Sequence, residues 1–121
     1  MKKILIIEDD SFLQGLASRK LKAEGFEVSG AADHKAAFAS METSKPDLIL
    51  LDLLLPEVDG FGILAKIREN PAIKDMPVII FSNCGEDKDI TRAKELGVDE
   101  FMVKSNFTLD ELVEKVKAKL A

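Results

Sequence analysis

Asp52 is the one charged residue in the apolar run LILLDLLLP, residues 48–56. Burying an ionised carboxylate without a partner costs several kcal/mol or more, so a chain that places one there must give it a polar outlet or a counter-charge. Three other stretches hold candidates for that role: Glu8-Asp9-Asp10 after KILII, Ser82 at the end of PVIIFS, and Lys104 at the end of EFMVK. Where these stretches converge, Glu8, Asp9 and Asp52 bring three carboxylates together. Like unit charges about 4 Å apart repel by roughly 4 kcal/mol at an effective dielectric near 20, so such a cluster calls for a cation. A few carboxylates with several waters is the usual setting for magnesium, a hard ion that takes oxygen ligands. Lys104 adds positive charge and Ser82 a neutral hydroxyl, which together suit a tetrahedral anion lying between metal and lysine. A carboxylate, a metal, a lysine and a hydroxyl around an anion are the parts of a phosphoryl acceptor site.

The elements that must bring these residues together are legible as alternating patterns. Strand-like runs occupy 3–8 (KILIIE), 27–32 (EVSGAA), 47–52 (DLILLD), 77–82 (PVIIFS) and 100–104 (EFMVK). Helical periodicity is expected at about 10–24, 33–43, 59–69, 86–96 and 108–120. Gly25 and Gly97 stand where a C-terminal glycine would close a helix, Asn70-Pro71 follows the third helix, and Thr108-Leu-Asp-Glu111 reads as a capping box. Strands that are nearly continuous apolar runs imply a parallel sheet covered on both faces. Five such units predict a single α/β domain over residues 1–121, doubly wound, with ligands at the carboxyl ends of the strands.

The bulk composition narrows the function. The 121 residues are 46% hydrophobic and 32% charged, a profile of ordinary globular domains. Met1-Lys2-Lys3 leads directly into a strand rather than a signal peptide, and no apolar run reaches the roughly 20 residues of a membrane span, which predicts a cytoplasmic protein without membrane contact. A net charge of −5, with lysines scattered, argues against nucleic acid binding by this chain. One cysteine, Cys84, and one histidine, His34, exclude an internal disulfide and a thiolate–imidazole zinc site within one chain. Residues 8–14 have a second reading: a polar strand exit, with Asp10 or Ser11 capping the next helix and Ser11 and Gln14 forming a capping box.

The motifs ILIIEDD (4–10), DLLLPEVDG (52–60), IIFS (79–82) and FMVK (101–104) give the chain a resemblance, over nearly its whole length, to the receiver domains of bacterial response regulators. The resemblance implies a flavodoxin-like fold with strand order 2-1-3-4-5. It implies that Asp52 is the phosphoacceptor, that Glu8, Asp9 and Asp52 bind Mg2+ with the backbone carbonyl of Leu54, and that Ser82 and Lys104 contact the phosphoryl group. The donor would be a sensor histidine kinase or phosphotransfer protein. Ser82 and Phe101 would switch a surface on the fourth helix, fifth strand and fifth helix, read by a downstream protein or effector domain.

Three positions depart from the family pattern. Ser105 follows Lys104 where relatives carry a proline after a cis peptide; base rates for a peptide without proline favour trans. Asn83 replaces a small residue, and apolar Leu54 cannot orient an attacking water, so both are expected to slow hydrolysis of the phosphoryl group. The chain is thus expected to be no enzyme beyond its own phosphorylation and dephosphorylation. A haloacid dehalogenase-like phosphatase would need an acid at position 54 and a cap insertion. A nucleotide-binding domain would need G-x-G-x-x-G or a P-loop after a strand. A pseudo-receiver that only docks would have no use for the full acidic, hydroxyl and lysine set.

Overall fold

The computed structural model describes residues 1–55 and 59–121, so part of the DLLLPEVDG motif lies outside the described residues. The elements run β1 (Lys3–Ile7), α1 (Ser11–Ala23), β2 (Glu27–Ala31), α2 (His34–Thr43), β3 (Leu48–Leu51), α3 (Gly60–Glu69), β4 (Val78–Ser82), α4 (Asp87–Glu95), β5 (Glu100–Val103), a 3-10 turn (Lys104–Asn106) and α5 (Leu109–Leu120). All five strands are parallel in the order β2-β1-β3-β4-β5. β1 and β3 are therefore neighbours, with Ile7 paired to Leu51, and the residues that follow them emerge side by side.

Alternation along the strands builds two cores. Ile4, Ile6, Leu48, Leu50, Ile79 and Phe81 face Ala17 and Leu21 of α1 and Leu112, Val113 and Val116 of α5. Their neighbours Ile7, Ile49, Leu51 and Ile80 face the other side, against Ala37 and Met41 of α2, Ile63, Leu64 and Ile67 of α3, and Ala93 of α4. Successive strand side chains point to opposite faces, so a strand covered on both has no polar register to spare. The sequence LILL of β3 is buried at every position for this reason.

β2 departs from that expectation. Glu27, Ser29 and Gly30 are exposed and only Ala31 is buried, because β2 lies at the edge of the sheet. β5, at the opposite edge, is likewise only partly covered and ends one residue earlier than expected, Lys104 opening the 3-10 turn. The Lys104–Ser105 peptide is trans.

Local signals set the helix ends. Gly25 and Gly97 adopt φ of +93° and +76°, a region open to glycine at little cost, just after α1 and α4. Thr108 and Glu111 form the expected capping box at α5. At α1 the capping box between Ser11 and Gln14 does not form. Asp10 is the cap instead, its carboxylate accepting from the N–H groups of Phe12 and Leu13, and the Gln14 side chain turns back toward the acidic turn.

Candidate functional site

The strand ends converge as the topology requires. Asp52 is one residue past β3, and its N–H donates to the Ile7 carbonyl of β1 at 3.0 Å, so the two strand exits are tied together. Glu8, the first residue past β1, donates its N–H to Ala31 of β2 at 2.9 Å. Carboxylate oxygens of Glu8, Asp9 and Asp52 all lie within 4.8 Å of one another. Glu8 and Asp52 are buried, with 4% and 5% of their surface exposed, whereas Asp9 reaches solvent.

Among the described residues Asp52 has three hydrogen-bond donors. Its Oδ1 accepts from the Ser82 hydroxyl at 2.7 Å and from the Leu54 N–H at 2.9 Å, and its Oδ2 accepts from Lys104 Nζ at 2.9 Å. Ser82, at the end of β4, is fully buried, and its oxygen accepts from the Cys84 N–H at 3.3 Å. Lys104 also donates to Glu8 Oε1, at 2.5 Å, so one ammonium bridges two of the three acids. The charge cluster read from the sequence thus contains its own counter-ion.

This sharing separates the two buried acids. Burial pushes the Glu8 carboxyl up, and with the neighbouring Asp52 it prevails over Lys104 and carries the group to about 7 from 4.5. Burial acts the same way on Asp52, but hydrogen bonds from Lys104, Leu54 and Ser82 outweigh it and hold that carboxyl below its ordinary value. For Lys104, burial disfavours the charge, while Glu8 and Asp52 more than compensate and raise the ammonium above its usual range. Asp52 is accordingly the acid kept ionised and aimed at the mouth of the sheet.

Leu54 is 55% exposed at the rim of this site, and Phe101 of β5 is half-buried against the core beneath α2, α3 and α4. Gly60 permits the close approach of α3: a Cβ there would lie 2.5 Å from Leu53 Cα and 2.9 Å from the Asp52 carbonyl oxygen. Burial and the facing Asp89 push the Cys84 thiol up to about 12, which disfavours the thiolate. His34 lies at the start of α2, with no hydrogen-bond partner for its Nδ1 among the described residues. Gln14 is the residue at this site that periodicity missed. Its amide Nε2 donates to the Glu8 carbonyl at 2.9 Å, and the signal the sequence offered was its place in a capping pattern with Ser11.

Three carboxylates, a hydroxyl and a lysine thus meet at the carboxyl ends of a doubly wound sheet, and the oxygens of Glu8, Asp9 and Asp52 could hold a divalent cation. The response regulator receiver domain family matches residues 4–117, and the chain belongs to it. Among curated relatives it is 35% identical over 120 residues to the DNA-binding dual master transcriptional regulator RpaA of Synechocystis, covering 99% of this chain and 49% of that protein. The chain spans about half the length of the curated relatives it matches. Among solved structures, the Mn(2+)-bound form of response regulator Rcp1 is 32% identical with a TM-score of 0.83, covering 98% of this chain and 91% of that one. The phosphorylated cyanobacterial phytochrome response regulator RcpA is 34% identical with a TM-score of 0.82, covering 97% and 89%. Receiver domains act as signalling modules that interact with histidine kinases or phosphotransfer proteins. Among the described residues no helix is long and apolar enough to cross a membrane.

Proposed function

We propose that this receiver domain accepts a phosphoryl group on Asp52 from a sensor histidine kinase or phosphotransfer protein. The observation that carries the reading is the placement of Asp52, ionised and directed by Ser82 and Lys104, beside the oxygens of Glu8 and Asp9. An Asp52 oxygen attacks phosphorus as the phosphorus–nitrogen bond to the donor imidazole breaks. The imidazole nitrogen keeps the electron pair. Lys104 and the Ser82 hydroxyl are positioned to bind the oxygens of the transferred group, and Lys104 releases its hold on Asp52 as it does so.

The all-oxygen donor set fits a hard divalent cation, and Mg2+ would be held by Glu8, Asp9, Asp52 and the Leu54 backbone carbonyl. That Rcp1 has a Mn(2+)-bound form supports the metal, and the phosphorylated form of RcpA supports the acceptor role. When bound, the cation supplies charge neutralisation to the transferring phosphoryl group. The protein catalyses only its own phosphorylation and dephosphorylation, and Leu54 and Asn83 slow the latter. Ser82 and Phe101 convert the modification into a change on the α4, β5 and α5 face, which a downstream protein or effector domain reads. The net charge of −5 speaks against nucleic acid contact by this chain, and the reading has it act in the cytoplasm.

Acetyl phosphate labelling followed by borohydride trapping and mass spectrometry tests the reading. The expected adduct is on Asp52, it requires Mg2+, and Asp52→Asn removes it. Labelling at another residue, or undiminished labelling in EDTA, overturns the assignment.

A further inference from the structure

We propose that Gln14 is a positioning residue for the cation site, acting through the backbone of Glu8, and that Gly30 is glycine to give the Gln14 amide room. The proposal rests on the reading of Glu8 and Asp9 as cation ligands. The pairing of β1 with both neighbours ends at Ile7, and the Ile7 carbonyl is taken by Asp52 N–H. The Glu8 carbonyl is the first one beyond the ladder. Its donor is the Gln14 side chain, six residues ahead on α1, at 2.9 Å. That bond fixes the plane of the peptide joining Glu8 to Asp9, from whose two ends both acidic side chains hang.

The second observation comes from the facing strand. A Cβ on Gly30 would lie 2.6 Å from Gln14 Cδ and closer still to Oε1, so the amide lies directly over the glycine. Gly30 has no positive φ, so its backbone does not demand glycine. Glycine weakens a strand, and often marks a place where another group approaches closely. Here that group is the Gln14 amide. Asp10 capping α1 and Gln14 holding Glu8 therefore pin the acidic turn from both sides.

The obstruction at Gly30 is the end of a flexible side chain, so Gly30→Ala should fold and simply push the Gln14 amide aside. This allows the bond to be broken without touching either acid. Calorimetric titration of Mg2+ into wild type, Gln14→Ala, Gly30→Ala and the double variant is the experiment. Outer partners of metal ligands are typically worth 10- to 100-fold in affinity, and about tenfold weaker binding is expected in each single variant. The double variant should also be about tenfold weaker rather than a hundredfold, because both changes remove one bond. Gly30→Ala should melt no lower than wild type, and its Gln14 side-chain amide protons should exchange faster than those of wild type. Unchanged affinity in Gln14→Ala, or losses that multiply in the double variant, overturn the proposal. Asp9→Asn separates the two levels. If it abolishes Mg2+ binding while Gln14→Ala does not weaken it, only the role of Gln14 fails. If wild type binds no Mg2+, or Asp9→Asn leaves binding intact, the cation reading falls and this inference with it.

Discussion

Lys104 approaches Glu8 more closely than it approaches Asp52, at 2.5 Å against 2.9 Å. One ammonium therefore serves two buried carboxylates, and of the two it is Glu8 whose burial is left uncompensated. Glu8 answers by holding its proton to about pH 7, while Asp52, with two further donors, stays ionised. The unequal division leaves an ionised Asp52 beside a Glu8 that is about half protonated near neutral pH.

A pH dependence follows from the raised Glu8. Between 4.5 and about 7 the unfolded chain loses this proton while the folded chain retains it, so stability falls as pH rises through that window. The loss is about 3 kcal/mol at the most. Asp52 acts in the opposite sense: its lowered carboxyl stabilises the fold above the ordinary value of 3.8, and that contribution disappears as pH falls through its folded value. Glu8→Gln has no proton to release. Urea unfolding in metal-free buffer should show Glu8→Gln gaining on wild type steadily from pH 5 to pH 8. A difference that stays flat across this range would mean that Glu8 titrates normally.

Asp52→Asn should remove phosphorylation while changing stability little in metal-free buffer. Charge clustering alone predicts a gain of about 1 to 2 kcal/mol from losing one of three carboxylates. The hydrogen bonds oppose that gain. Asparagine keeps an acceptor for Ser82 and Leu54 but loses the charge-assisted bond from Lys104 Nζ, a contact of about 1.5 to 3 kcal/mol. Melting should therefore stay within about 1 kcal/mol of wild type, and the Glu8 carboxyl, relieved of Asp52, should titrate below 7. Carbon-13 NMR of the side-chain carboxyls checks the second point. A Glu8 midpoint that does not fall in the variant would remove Asp52 as a cause of its shift.

Gly60→Ala tests how tightly α3 is drawn under the site. The added methyl would meet backbone, Leu53 Cα at 2.5 Å and the Asp52 carbonyl oxygen at 2.9 Å, and backbone cannot turn away as a side chain can. Overpacking of this kind costs about 1 to 3 kcal/mol. Because the displaced segment carries Asp52 and Leu54, acetyl phosphate labelling should slow as well. Wild-type stability with wild-type labelling would show that the helix start can shift freely.

The sheet and most of the site were legible because they depend on local pattern. β3 and β4 had to be central, since LILL and VIIFS leave no polar face, and the acids had to lie at carboxyl ends once the strands were parallel. What could not be read was partner choice across distance. Glu8 and Lys104 are 96 positions apart, and nothing in either stretch says that the lysine reaches the first acid as well as Asp52. Gln14 was hidden for a related reason. A Ser at 11 and a Gln at 14 satisfy a capping pattern equally well whether the amide turns to its own helix or to the preceding strand exit, and the glycine that decides it sits on β2. The exposure of β2 was likewise set by its place at the edge, which only the strand order fixes.

Lys104→Met should trade stability for response to divalent metal. Methionine replaces the stem of the lysine but not its ammonium, leaving Glu8 without the hydrogen bond that lowers its carboxyl and Asp52 with only Ser82 and the Leu54 N–H. Removing one partner of a buried ion pair costs about 3 to 5 kcal/mol, and uptake of a proton by Glu8, whose carboxyl then rises further, should limit the loss to about 2 to 4 kcal/mol near pH 6.5. On the proposed cation reading, wild type loosens Lys104 from Glu8 Oε1 and Asp52 Oδ2 before a cation uses those two oxygens, whereas the variant offers them free. Since a ligand stabilises in proportion to the logarithm of its concentration over its dissociation constant, 10 mM magnesium, a concentration on the order of those used in such melts, should raise the midpoint of Lys104→Met by more than it raises that of wild type. The comparison needs four thermal melts, each protein with magnesium and with EDTA. Equal shifts in the two proteins would mean that the lysine and the cation do not compete for the acids, and that Lys104 keeps both contacts when the metal arrives.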